Sequence, residues 1–169
     1  MDKMMKERLA QTLQGFRLPR YAELMNVGLY LEQTSEYINN YLRPLGCVEI
    51  TGSMIRNYVK KGLVANPVKK RYGADQIAHL LCIAVLKQVL SLENIAELFR
   101  RKTEIYDNRT AYDYFCMEME NILYYRFGLK NTLSDIGVTS SLEKEMLRSA
   151  IIAVSHQIYL NACFHLLSE

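Results

Sequence analysis

Thr51-Gly52-Ser53-Met54-Ile55-Arg56-Asn57-Tyr58-Val59-Lys60-Lys61-Gly62-Leu63-Val64 is the stretch on which the reading of this chain turns. A hydroxyl residue, Thr51, stands where a helix N-cap oxygen would accept from an orphan backbone N–H. Gly62 stands where a helix stops in the left-handed conformation. The spacing predicts a short helix over 52–61, anchored by Met54, Ile55 and Val59. Arg56, Asn57, Lys60 and Lys61 project elsewhere. One anchored side and one basic, amide-bearing side suit a helix that enters a DNA major groove, where Arg pairs with guanine and Asn with adenine.

Charge is distributed to match. From Ile50 to Ala74 there are six basic residues and no acidic one: Arg56, Lys60, Lys61, Lys69, Lys70 and Arg71. The whole chain of 169 residues carries a net charge of +3, so removing those six leaves the remainder at −3. A local positive patch on an otherwise acidic chain is how a nucleic-acid footprint looks in sequence.

Outward from this stretch the chain reads as mainly α. Apolar residues recur at helical spacing, and three prolines and eight glycines punctuate them. Toward the N-terminus, residues 3–14 place Met5, Leu9 and Leu13 on one face, followed by Phe16. Residues 29–42 form a second helix with Tyr30, Thr34, Tyr37, Ile38, Tyr41 and Leu42 on one side. Toward the C-terminus, Leu63-Val64 and Val68 flank Asn66-Pro67, which predicts a very short β-ribbon ending at Tyr72-Gly73. A long helix then carries Ile77, Leu80, Leu81, Ala84 and Val85, with Asp75 in its first turn. Ser91 caps the next helix, which ends in Arg100-Arg101. Residues 109–127 are rich in aromatics, and 128–141 form a polar connector. Residues 142–167 read as a helix of about 26 residues, roughly 39 Å long. Its polar residues share no single face, so it is expected to be covered on several sides, within one subunit or across a dimer interface.

The decisive stretch resembles the MerR family of winged helix-turn-helix regulators. Their recognition helix reads Thr-(Ile/Leu)-Arg-x-Tyr and then Lys-Gly-Leu. Ile55, Arg56 and Tyr58 match, followed by Lys61-Gly62-Leu63, with Met54 in the place of the threonine. Tyr72 matches the end of the wing. Leu90-Ser91-Leu92-Glu93-Asn94-Ile95 is similar to the Gly-Phe-Ser-Leu-x-Glu-Ile that follows in that family. The resemblance implies a winged helix-turn-helix core with a short wing, flanked by N-terminal helices and a C-terminal helical region. It divides the chain into 1–46, 47–102 and 103–169. It also implies a DNA-facing surface made of Ser53, Arg56, Asn57, Tyr58, Lys60, Lys61, Lys69, Lys70, Arg71 and Tyr72. The flanks Arg17-Leu18-Pro19-Arg20-Tyr21 and Leu29-Tyr30-Leu31-Glu32-Gln33 resemble an uncharacterised bacterial family, a domain of unknown function that contains a MerR-like unit.

The expected function is therefore a DNA-binding transcriptional regulator that works as a homodimer on double-stranded DNA. Two rival readings come from other classes. The short wing and the lengthened turn at 44–50 suit a protein-interaction module that has lost DNA binding. The aromatic half suits a sensor for a small-molecule effector. No P-loop, dinucleotide fingerprint or nucleophile elbow is present, so no catalytic residue is assigned and an enzyme is not expected. Cys47, Cys82, Cys116 and Cys163 are far apart, and no His lies at metal-ligand spacing from them, so no metal and no cofactor are expected. They read as buried thiols of a reducing compartment, and the chain as a cytoplasmic protein without a membrane partner. The longest apolar run between 150 and 167 is five residues. Asp113, Glu118 and Glu120 are expected at the surface.

Overall fold

A computed structural model describes residues 3–137 and 140–169. Seven helices follow in order: α1 (Lys3–Thr12), α2 (Leu31–Leu42), α3 (Gly52–Lys60), α4 (Ala74–Leu86), α5 (Leu92–Thr103), α6 (Asn108–Arg126) and α7 (Leu142–Ser168). Single 3₁₀ turns occupy Tyr21–Glu23 and Arg43–Leu45. The fold is mainly α, as the apolar spacing predicts. Among the described residues β-pairing is limited to two isolated bridges, Leu29 with Tyr72 and Val68 with Arg71.

Local chemistry sets the helix ends. Thr51, Ser91, Asp107 and Ser141 each accept a hydrogen bond from the backbone N–H three residues on, at the starts of α3, α5, α6 and α7. α4 is apolar nearly all round, with Ile77, Leu80, Leu81, Ile83, Val85 and Leu86 fully buried, so it runs through the middle of the fold. α6 and α7 pack against it and against each other. One continuous buried cluster draws Leu9 and Leu13 from α1, Ile38 from α2, Ile55 from α3, and Phe115 and Val154 from the C-terminal helices. The three segments read from the sequence therefore share one core.

The segment 17–21 is clamped onto α6. Glu120 accepts from both ends of the Arg20 guanidinium (2.8 and 2.7 Å) and from the Leu18 backbone N–H (2.9 Å). Asp113 accepts from the Tyr21 N–H at 2.8 Å, and the Tyr112 hydroxyl donates to the Pro19 carbonyl at 2.8 Å. This corrects the expectation of surface carboxylates. Glu120 is 8% exposed and hydrogen-bonded to Arg20; Glu118 is fully buried with the Arg148 Nε 3.2 Å away but no hydrogen bond to either oxygen, and burial raises its pKa. A buried carboxylate is tolerable only with such a partner.

α7 is long and apolar enough, by length and composition alone, to cross a membrane. Here it packs on α1, α4, α5 and α6 and buries Ala150, Ile151, Val154, Ser155, Ile158 and Tyr159, while Ile152, Leu160, Phe164 and Leu167 stay exposed, so the covering on several sides expected for it is only partial.

His79, on α4, lies under the Phe99 ring (centroids 4.9 Å apart) with the Lys102 ammonium 3.4 Å from its Nε2. Burial first, and then Lys102, push its pKa down to about 4. The unfolded chain thus binds a proton at His79 that the folded chain refuses. The resulting stability is full above about pH 6.5 and is lost as pH falls toward 4, on the order of 3 kcal/mol. Thermal unfolding followed from pH 7 to pH 4.5 should show this loss in the wild type and a flatter profile in His79→Gln. Parallel profiles would contradict the assignment.

Candidate nucleic-acid interface

α3 is placed by α2. Asn39 of α2 both donates to the Ile50 carbonyl (2.9 Å) and accepts from the Ile50 N–H (2.8 Å), which fixes the chain just before the helix. Thr51 then caps it, its hydroxyl accepting from the Met54 N–H at 3.2 Å. Gly52 lets the two helices approach closely, since a Cβ there would lie 3.1 Å from atoms of Leu31 and Glu32. At the other end Gly62 is left-handed (φ +75°), and the Leu63 N–H closes onto the Tyr58 carbonyl at 3.0 Å.

These restraints decide which side of α3 faces out. Gly52, Ile55 and Tyr58 are buried, and Met54 and Val59 are half-buried. Ser53, Arg56, Asn57, Lys60 and Lys61 are exposed. At about 100° per residue the first four of these fall within an arc of roughly 100°, a narrow polar face bearing two cations, an amide and a hydroxyl.

The ribbon expected around Asn66-Pro67 is not where the pairing lies: among the described residues Leu63 and Val64 join no bridge, and a minimal hairpin forms further on, between Val68 and Arg71. Val68 and Arg71 exchange both backbone hydrogen bonds (3.0 and 2.9 Å). Between them Lys69 (φ +49°) and Lys70 (φ +64°) are both left-handed, the backbone of a type I′ turn. Such turns normally carry Asn and Gly, and each non-glycine residue in that conformation costs about 1 kcal/mol or more. Two lysines therefore occupy a tip where cheaper residues exist. Lys69→Asn with Lys70→Gly should raise the midpoint of urea unfolding, by about 1–2 kcal/mol in stability, and weaken any anion binding at the tip. An unchanged midpoint would show that the lysines are unstrained.

Arg71 folds back. Its guanidinium lies 4.7 Å above the Tyr30 ring and donates to the Tyr30 hydroxyl at 3.2 Å, while remaining solvent-exposed. Next to it Tyr72 pairs with Leu29 by both backbone bonds (2.8 and 2.9 Å). Gly28 makes this possible. It is left-handed (φ +75°), and a Cβ there would sit 2.9 Å from the Arg71 Cβ.

Two expected contact residues are corrected. Tyr58 is 3% exposed and Tyr72 is 4% exposed. Their rings fill the core under α3 and under the hairpin, because the apolar ring gains more from burial there than from contact with solvent. Burial also raises both phenol pKa values. They position the surface and do not form it. The other eight, Ser53, Arg56, Asn57, Lys60, Lys61, Lys69, Lys70 and Arg71, are all exposed. Gly28, Tyr30 and Asn39 position this surface without any signal of their own in the local sequence. Their partners lie between 11 and 44 residues away.

Residues 19–115 match the model of a family described as Domain of unknown function (DUF1836). The chain belongs to that family. The matched span begins at the clamp on α6 and runs through α2, α3, the hairpin, α4 and α5 into α6. In this DUF1836 protein the family's span thus holds the whole exposed basic surface together with the residues that position it. No curated protein matches the chain, and no solved structure does.

Proposed function

We propose that this protein is a sequence-specific, duplex-DNA-binding transcriptional regulator of the MerR-like winged helix-turn-helix type. α3 enters the major groove, and the 68–71 hairpin serves as a reduced wing against the flanking phosphates. One observation carries the reading: a contiguous polar face of α3 and a strained two-lysine hairpin tip are both exposed in a 25-residue stretch without a single carboxylate. Arg56 and Asn57 are the base-reading residues, and Lys60, Lys61, Lys69, Lys70 and Arg71 are the phosphate contacts. Selection from a random pool of duplexes, followed by binding measurements on the recovered sequence, tests this. Enrichment of a defined site supports it. Failure to enrich any site, together with nuclease-resistant protein partners captured from a lysate, would favour the interaction-module reading instead.

A homodimer suits this chemistry, because two short helices then read two half-sites about one helical turn apart. The exposed stripe Ile152, Leu160, Phe164 and Leu167 on α7 (37%, 52%, 68% and 70% exposed) supports a two-fold contact through that helix. Phe164→Glu should shift the species measured by analytical ultracentrifugation from dimer to monomer and weaken duplex binding at least tenfold. A wild type that sediments as a monomer at all concentrations would contradict the dimer.

A further inference from the structure

A cavity of about 310 Å³ lies among α4, α5, α6 and α7, with Ile136 and Gly137 also in its lining. Cys82, Leu86, Leu98, Phe99, Phe115 and Leu147 give it walls that are carbon almost throughout. The volume is at the lower end of small-molecule sites, and dry apolar cavities half that size already accept benzene.

Few polar groups reach the cavity, and they are unevenly satisfied. The Lys102 ammonium donates to Asn108 Oδ1 at 2.7 Å and approaches His79 Nε2 at 3.4 Å. Among the described residues no carboxylate lies within ion-pair distance of it. His79 is neutral at ordinary pH, with a pKa of about 4, and so supplies no counter-charge. The one carboxylate in the lining, Glu143, faces Arg101 at 3.7 Å. Tyr114 also lines the cavity. Its ring forms part of the wall, with the Lys144 ammonium 5.4 Å from the ring centre, while its hydroxyl is buried in the protein and does not face the cavity. A half-buried cation without a carboxylate partner at the edge of an apolar cavity describes the missing partner: an anionic acceptor on an apolar body.

We propose that this cavity binds a small monocarboxylic acid with an aromatic or branched aliphatic body, its carboxylate held by Lys102 and its body by Phe99, Phe115 and Leu147. The proposal goes beyond the DNA reading and does not depend on it, since the cavity is lined by α4 to α7 and not by α3 or the hairpin.

The probes are benzoate, phenylacetate and 4-methylpentanoate, each beside its neutral primary amide, tested by thermal unfolding and by calorimetric titration of the full chain. At about one hundred times its Kd a bound acid should raise the melting temperature by roughly 5–10 °C, with the amide at least tenfold weaker. Lys102→Met should weaken the acid several-fold, abolish its preference over the amide and leave the amide unchanged. Tyr114→Phe should still fold, because the hydroxyl it removes has no partner, and should leave the acid affinity as it is. A panel without any shift identifies a packing void and overturns the proposal, as does an acid that binds no better than its amide. Acid affinity indifferent to Lys102→Met would also overturn it. Duplex binding is measured on the same samples, so that failure of the ligand site and failure of the DNA reading are seen separately.

Discussion

Substituting Glu120 by alanine is expected to lower the melting temperature by roughly 6–12 °C, about 3 kcal/mol at 2–4 °C per kcal/mol for a chain of this size. The carboxylate is 8% exposed and accepts three hydrogen bonds, two from Arg20 and one from the Leu18 N–H. Its removal leaves a largely buried guanidinium and a backbone donor without partners, which costs more than the ion pair itself contributes. The Arg20 side chain retains 24% exposure, which keeps the loss below that of a fully dry pair. Adding Arg20→Met to Glu120→Ala should therefore recover part of the stability. A drop below 2 °C, or a double variant less stable than the single, would show that the clamp of 17–21 on α6 is not what holds the N-terminal segment.

The second large effect concerns recognition. Arg56→Ala should cost about 1–3 kcal/mol on the selected duplex, roughly five- to 150-fold in Kd, and should flatten the difference between that duplex and a scrambled one. Lys69→Ala should weaken both duplexes by the same factor, because a phosphate contact carries no sequence information. The geometry separates the two roles: Arg56 lies on the narrow polar face of α3, whereas Lys69 sits at the hairpin tip. Competition titrations with the two duplexes measure both numbers. Equal losses for Arg56→Ala on the selected and scrambled duplexes would remove Arg56 from the base-reading role.

The parts of this fold that local sequence specifies were legible in it. Thr51 and Gly62 bracket α3 because capping and the left-handed stop act within three or four residues. Ser91 and the apolar stripe of α4 work in the same way. What depends on distant residues was not legible. Tyr58 and Tyr72 sit beside exposed cations in sequence, and only the packing of α3 and the hairpin onto the core turns their rings inward. Glu120 reads as a surface carboxylate until Arg20, a hundred residues earlier, is folded against it. The left-handed Lys69-Lys70 turn carries no Asn-Gly signal, so its strain emerges only from the backbone angles. The cavity at Lys102 and Tyr114 needs four helices to exist. The aromatic richness of 109–127 pointed toward it without marking which residues would line it.

Equilibrium binding of the full chain to a duplex, followed by fluorescence anisotropy across a monovalent salt series, tests the central claim most directly. With the five phosphate-contacting residues Lys60, Lys61, Lys69, Lys70 and Arg71, log K should fall with log salt at a slope of about −4.5 per protomer, near five-hundredfold between 50 and 200 mM. Neutralising Lys60, Lys61, Lys69 and Lys70 together should bring the slope to about −1. A wild-type slope near zero, or a slope unchanged in that variant, would contradict the assignment of the 51–72 surface to DNA.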